Sequence, residues 1–235
     1  MPAPAAGSGP KAFDLVIFDC DGVLIDSEII SARMLVQELA RLGVRIDLAY
    51  VARHFLGRSY PTVMATIRQD FGLDLPSSFE EDYRERLLEG FRQGLRIMPG
   101  VISVLDALGV PWCVATSSSP RRVGMSLALT GLTERVGGRL YTASQVRNGK
   151  PAPDLFLFAA ARMGAEPARS LVIEDSLTGL RAAQAAGMAV WQFTGGSHFR
   201  VGGAAPDPLP DPPPDRRFDD FADFFTPAPA LRRPG

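Results

Sequence analysis

Short apolar runs alternate along most of this chain with stretches of helical periodicity, and that alternation restricts the fold more than any other feature. Leu15 to Phe18, Trp112 to Ala115, Arg139 to Thr142, Leu171 to Ile173 and Ala189 to Phe193 read as short strands. Between the later ones, Val101 to Leu108, Arg121 to Leu129, Asp154 to Met163 and Leu177 to Ala186 carry apolar residues at helix spacing. Strand and helix in turn imply a parallel sheet joined by right-handed crossovers and covered by helices on both faces. The interval from Ser27 to about Leu95 departs from this rhythm. It is helical only, in "EIISARMLVQELARLG", "YPTVMATIRQDFG" and "SSFEEDYRERLLEGFRQG". A block that long after a first strand exceeds a crossover and reads as a small all-helical unit over the sheet's C-terminal edge.

The expected organisation is therefore an α/β core at 13–26 and 96–225, a helical cap at 27–95, a disordered N-terminus at 1–12 and a disordered tail at 226–235. The proline-rich "AAPDPLPDPPPD" offers no core-forming side chains, and the "FDDFADFF" after it suggests a short docking helix. Of the 235 residues, 46% are hydrophobic and 22% charged, with a formal net charge of -1, which describes a soluble globular protein. That balance argues against nucleic acid or an anionic membrane as partner, because both favour a basic excess. No apolar run suffices to span a bilayer and the N-terminus lacks a signal-peptide pattern, so a cytoplasmic enzyme is expected. A monomer fits the sequence as well as any assembly does. Cys20 and Cys113 sit in strand-like segments without metal spacing and read as buried thiols. His54 and His198 have no partner motif and read as ordinary surface or packing residues.

The first strand runs directly into carboxylates: "DLVIFDCDGVLIDSE" places Asp19, Asp21 and Asp26 close together, where they repel one another. An EF-hand loop fails, because Val23, Leu24 and Ile30 stand where an acidic or amide ligand, glycine and glutamate are needed. A solvated turn rarely follows a fully apolar strand with two aspartates on alternate positions. A magnesium-assisted phosphate site removes the difficulty, since the cation cancels the repulsion. Open parallel sheets bind ligands beyond strand C-termini, so more chemistry is expected at later strand ends. "VATSSSP" supplies the Thr116 and Ser117 hydroxyls before a helix N-terminus, "NGKPAPD" supplies Lys150, and "VIEDSLTG" supplies Glu174 and Asp175. "GKP" is not a phosphate-binding Walker loop, because the Ser/Thr after the lysine is missing.

In these four motifs, "DCDGV", Thr116, Lys150 and "EDS", the sequence resembles the haloacid dehalogenase superfamily from about Phe13 to Phe193. The resemblance is to its branch of sugar-phosphate phosphatases and mutases with a helical cap, and "FDCDGVLIDSE" looks most like the sugar-phosphate phosphatases, 6-phosphogluconate phosphatases among them. It implies a Rossmann-like α/β core and a magnesium-dependent phosphatase acting on a small phosphorylated metabolite, a sugar or sugar-acid phosphate. Both the residue chemistry and the resemblance make Asp19 the nucleophile, forming an aspartyl-phosphate, and Asp21 the general acid and base. The expected magnesium ligands are the Asp19 carboxylate, the Asp21 carbonyl and Asp175, with Glu174 direct or through water. Lys150 neutralises the nucleophile and a phosphoryl oxygen; Thr116 and the Ser117 N–H hold another. Asp26 reads as a capping or hinge carboxylate. Substrate specificity is expected from the cap, with Glu28, Arg58, Ser59 and Tyr60 as candidates.

A β-phosphoglucomutase shares all four motifs. Those mutases carry a histidine where Ser31 stands here and a phosphate-binding arginine where Tyr60 stands, so hydrolysis is favoured over mutation. Asp21, a proton donor that carbon–halogen chemistry does not need, disfavours a dehalogenase. A catalytically silent binding protein on the same fold would be expected to lose Asp19, Asp21 or Lys150, and all are present.

Overall fold

The computed structural model describes residues 13–55, 58, 60–73, 75–76, 78–200 and 210–234. The expectation of disorder at 1–12 lies outside them, as do Ser59 and the first half of the proline-rich segment. A six-stranded sheet forms the centre, built from β1 (Leu15–Phe18), β2 (Trp112–Thr116), β3 (Leu140–Thr142), β4 (Ser170–Glu174), β5 (Ala189–Phe193) and β6 (Arg216–Phe218). Its order is β3-β2-β1-β4-β5-β6, with every neighbouring pair parallel.

Alternation across the pleat sorts the strand residues onto two faces. Val16, Phe18, Trp112, Val114, Leu171 and Ile173 enter one apolar cluster, and Leu15, Ile17, Cys113, Ala115 and Val172 enter the other. Each face is then covered, which is why β1 is buried at all of its residues. The helices α1 (Glu28–Arg41), α2 (Leu48–His54), α3 (Tyr60–Phe71) and α4 (Phe79–Gly94) follow β1 without a strand among them. They enclose a third cluster that includes Leu35, Leu39, Met64, Ile67 and Phe91. Two chain segments join this cap to the core, and they pair with each other: Ile25 bridges Ile97, and the Asp26 N–H donates to Arg96 O at 2.9 Å.

The core helices are α5 (Val101–Ala107), α6 (Pro120–Leu129), α7 (Thr133–Val136), α8 (Asp154–Met163) and α9 (Leu177–Ala185). Strand and helix ends agree with the sequence expectation to within about two residues. The C-terminal region does not. "FDDFADFF" forms no docking helix: Phe218 ends β6, Asp220 caps a 3-10 turn at Phe221–Asp223, and Phe218, Phe221 and Phe224 all enter the core beside Trp191 and Phe193. Residues 226–234, expected to be disordered, are held too. Ala228 and Leu231 are buried, the Gly109 N–H donates to Leu231 O at 2.8 Å, and the Arg233 N–H donates to Ala107 O at 2.7 Å. No helix among the described residues is long and apolar enough to cross a membrane.

Candidate active site

The chemistry collects where the central strands end, and strand order explains why. Chain connections leave β1 toward β2 on one side and return to β4 on the other, so a crevice opens at the C-terminal edge between them. The Asp19 N–H donates to Ile173 O at 2.9 Å, extending the β1–β4 ladder one residue past the strand and delivering the carboxylate to that edge. Glu174 is the last residue of β4, with Asp175 next. Lys150 arrives from the loop between β3 and α8.

Lys150 is the hub of this cluster. Its Nζ donates to Asp19 Oδ1 at 2.5 Å, to Glu174 Oε1 at 2.6 Å and to Ala115 O at 3.0 Å, with its side chain 2% exposed. Burial alone would depress the ammonium, but the two carboxylates outweigh it and hold Lys150 above its ordinary value. Glu174 Oε2 accepts from the Asp175 N–H, the Ser176 N–H and the Ser176 hydroxyl, each at 3.0 Å. Ser176 in turn caps α9, accepting from the Gly179 N–H at 3.1 Å.

Asp19, Glu174 and Asp175 are buried, and each offers an oxygen within 4.8 Å of the others. One ammonium does not balance three carboxylates. Burial first, and then the neighbouring acids, push Asp19 and Asp175 well above the usual carboxylate range, although Lys150 acts against this for both. An all-oxygen donor set short of positive charge suits a hard divalent cation, so the residues fit a metal.

Asp21 occupies different surroundings. Its Oδ1 accepts from the Ser27 hydroxyl at 2.6 Å and from Arg122 Nη2 at 2.8 Å; its Oδ2 accepts from the Ser118 hydroxyl at 2.6 Å and from Thr116 Oγ1 at 3.5 Å. Burial raises its affinity for a proton, but Arg122 and the hydroxyls prevail and leave it below its ordinary value. Two neighbouring aspartates are thus driven in opposite directions by their partners. Thr116 Oγ1 also accepts from the Ser118 N–H at 3.0 Å, tightening the turn into α6, which Ser119 caps and Pro120 begins.

A cavity of about 710 Å³ opens between cap and core, and every site residue named from the sequence that can be described lines it: Asp19, Asp21, Glu28, Arg58, Thr116, Ser117, Lys150, Glu174 and Asp175. Tyr60 lines it as well. Glu28 is pushed up to about 7, mainly by burial and then by the charge of Asp21. Asp26 stays outside this set, in the segment that joins cap to core, where its Oδ1 accepts from the Ser197 N–H at 3.0 Å and the Ser197 hydroxyl at 2.9 Å.

Sequence reasoning missed Arg122, Ser118 and His198. Arg122 spans core and cap: besides Asp21 it donates to the Ser31 hydroxyl at 3.2 Å, and its guanidinium carbon lies 5.2 Å from the Phe91 ring centroid. His198, read as an ordinary surface or packing residue, is 8% exposed with Nε2 3.2 Å from Asp175 Oδ2. The available signal was its place just after β5, since the rule that chemistry gathers at strand ends applies there too.

A family model for haloacid dehalogenase-like hydrolases matches residues 13–187. The 6-phosphogluconate phosphatase of Escherichia coli (strain K12) is 26% identical over 186 residues, covering 79% of this chain and 84% of that protein. Two solved structures superpose closely. A haloacid dehalogenase-like protein of unknown function from Agrobacterium tumefaciens str. C58 has 31% identity and a TM-score of 0.76, over 94% of this chain and 99% of that one. A hydrolase from Deinococcus radiodurans R1, solved with bound phosphate and sodium, has 32% identity and a TM-score of 0.74, over 96% and 100%.

Proposed function

Because the chain belongs to the haloacid dehalogenase-like hydrolase family, we propose that it is a magnesium-dependent phosphatase that hydrolyses a small phosphorylated sugar or sugar acid through an aspartyl-phosphate on Asp19. The observation that carries this reading is the buried Lys150 holding Asp19 and Glu174 together, with Asp175 beside them and the cavity in front.

A phosphate monoester resists attack because nucleophile and phosphoryl group are both anionic and the alkoxide leaves poorly. Lys150 works against the burial that favours a protonated Asp19 and shields the approaching phosphoryl charge. Asp19, Glu174, Asp175 and the Asp21 carbonyl would hold the magnesium ion, which supplies charge neutralisation when bound. An Asp19 oxygen forms a bond to phosphorus as the ester P–O bond breaks, and Asp21 gives its proton to the departing oxygen. In the second half Asp21 takes a proton from water, whose oxygen bonds to phosphorus while the Asp19–phosphorus bond breaks and phosphate is released. Asp21 is ionised beside Arg122, so the negative charge of the incoming phosphoryl group is what raises its affinity for the proton it must donate. Thr116 and Ser117, at the turn into α6, bind phosphoryl oxygens.

The cavity lining carries several basic side chains. Arg58, Arg84 and Arg122 line it against Glu28, and the Arg122 Nε and the Tyr60 hydroxyl are buried there without a hydrogen-bond partner among the described residues. Arginines on the lining favour a leaving group rich in acceptors, a polyhydroxy acid before a plain alcohol. The E. coli relative named as a 6-phosphogluconate phosphatase agrees in kind. Phosphate release from 6-phosphogluconate and a panel of hexose, pentose and glycolate phosphates, with and without magnesium, tests the reading. Asp19→Asn should abolish release, and wild-type turnover by that variant would end the proposal. Conversion of β-glucose 1-phosphate to glucose 6-phosphate with little free phosphate would establish a mutase instead.

A further inference from the structure

We propose that His198 is a positioning residue for the metal: its imidazole donates to Asp175 and holds that carboxylate in the orientation a divalent cation requires. The inference rests on the metal-dependent reading above and adds a residue outside the four motifs.

His198 lies in the 3-10 turn Ser197–Arg200 that follows β5. Its Nε2 is 3.2 Å from Asp175 Oδ2, and its Nδ1 is buried with no hydrogen-bond partner among the described residues. The contact of Nε2 with a carboxylate oxygen assigns an N–H to that nitrogen. The ring thus lies against one oxygen of the Asp175 carboxylate. Partners of this kind behind a metal ligand set its orientation, and their loss typically weakens metal affinity by about 10–100-fold.

The ring's place is built rather than incidental. A Cβ on Gly196 would stand 2.6 Å from His198 Cε1 and 2.7 Å from Nδ1, and one on Gly22 would stand 3.2 Å from Cε1 while overlapping Asp175 Oδ2. Gly22 also has φ +79°, so both its backbone and its missing side chain belong to this arrangement. The turn is anchored to the hinge by the two Ser197 donors on Asp26, and it packs against α1. Asp26 thereby places the turn that places His198, which places Asp175.

A packing role and a positioning role separate in a pair of variants. His198→Leu fills the space but cannot donate; His198→Gln keeps an N–H donor. Isothermal titration of the full chain with magnesium chloride should show His198→Leu binding about 10–100-fold more weakly than wild type. His198→Gln should remain within about threefold, a small part of that same range. Equal affinity in wild type and His198→Leu overturns the proposal, and so does a Gln variant as weak as the Leu variant. Should His198→Leu fail to fold, His198→Gln and Asp26→Ala decide: the proposal requires the first near wild type and the second weakened, and falls if both bind alike. If wild type itself takes up no magnesium, the metal reading fails and this inference fails with it.

Discussion

Replacing Gly179 by alanine sets two local effects against each other. Gly179 is the third residue of α9, and alanine is favoured over glycine in a helix interior by about 1 kcal/mol. A methyl group there, however, would overlap the carboxyl carbon and both oxygens of Glu174. Glu174 is not free to swing aside, because one oxygen accepts from Lys150 at 2.6 Å and the other from three donors at 3.0 Å. Giving up even one hydrogen bond to a charged group costs about 1.5–3 kcal/mol, and separating a buried ion pair costs about 3–5 kcal/mol. The clash therefore outweighs the propensity gain, for a net loss of about 2–4 kcal/mol. At about 2–4 °C per kcal/mol for a chain of this size, the thermal midpoint should fall by roughly 4–16 °C. Gly124 in α6 is the internal control: it is helical and exposed, with nothing within 4 Å of an added Cβ, so Gly124→Ala should raise the midpoint. Calorimetry of the two variants reads both signs. A Gly179→Ala midpoint equal to or above wild type would refute the claim that Glu174 is locked against α9.

Three further expectations come from the ionised groups. Glu28 is pushed up to about 7 from 4.5, so across that interval the folded chain keeps a proton that the unfolded chain has released; stability should fall as pH rises through it, and Glu28→Gln should flatten the dependence in urea titrations at several pH values. Lys150→Met leaves Asp19 and Glu174 buried without their counter-charge, a loss of about 3–5 kcal/mol measured by denaturant midpoint. Arg121 pairs with Glu81 and Glu85 of the cap on an exposed surface, so Arg121→Ala should change the midpoint by less than about 1 kcal/mol.

The core strands and most helices were legible because a buried parallel sheet imposes continuous apolar runs separated by helix-period stretches, and Leu15 to Phe18 carries that signal without interruption. The short β6 was not, since Arg216 and Arg217 precede a single buried Phe218. The phenylalanines of "FDDFADFF" repeat at helical spacing, yet the apolar cluster around Trp191 and Phe193 claims them from a strand and a 3-10 turn; packing overrode local period. Arg122 and His198 escaped notice for a related reason. Their partners, Asp21 and Asp175, are distant in the chain; no local pattern marks Arg122 as delivered to a carboxylate, and the place of His198 just after β5 was its one signal.

What the amino-acid order settled alone was the sheet, the inserted helical cap and the placement of an acid, a hydroxyl or a lysine near each central strand end, because strand period and strand termini are local properties. Tertiary structure decided which of those groups are charged against which others. Burial raises Asp19 and Asp175 while Arg122 and the hydroxyls lower Asp21, and those opposite shifts exist only once residues distant in the chain share one low-dielectric crevice.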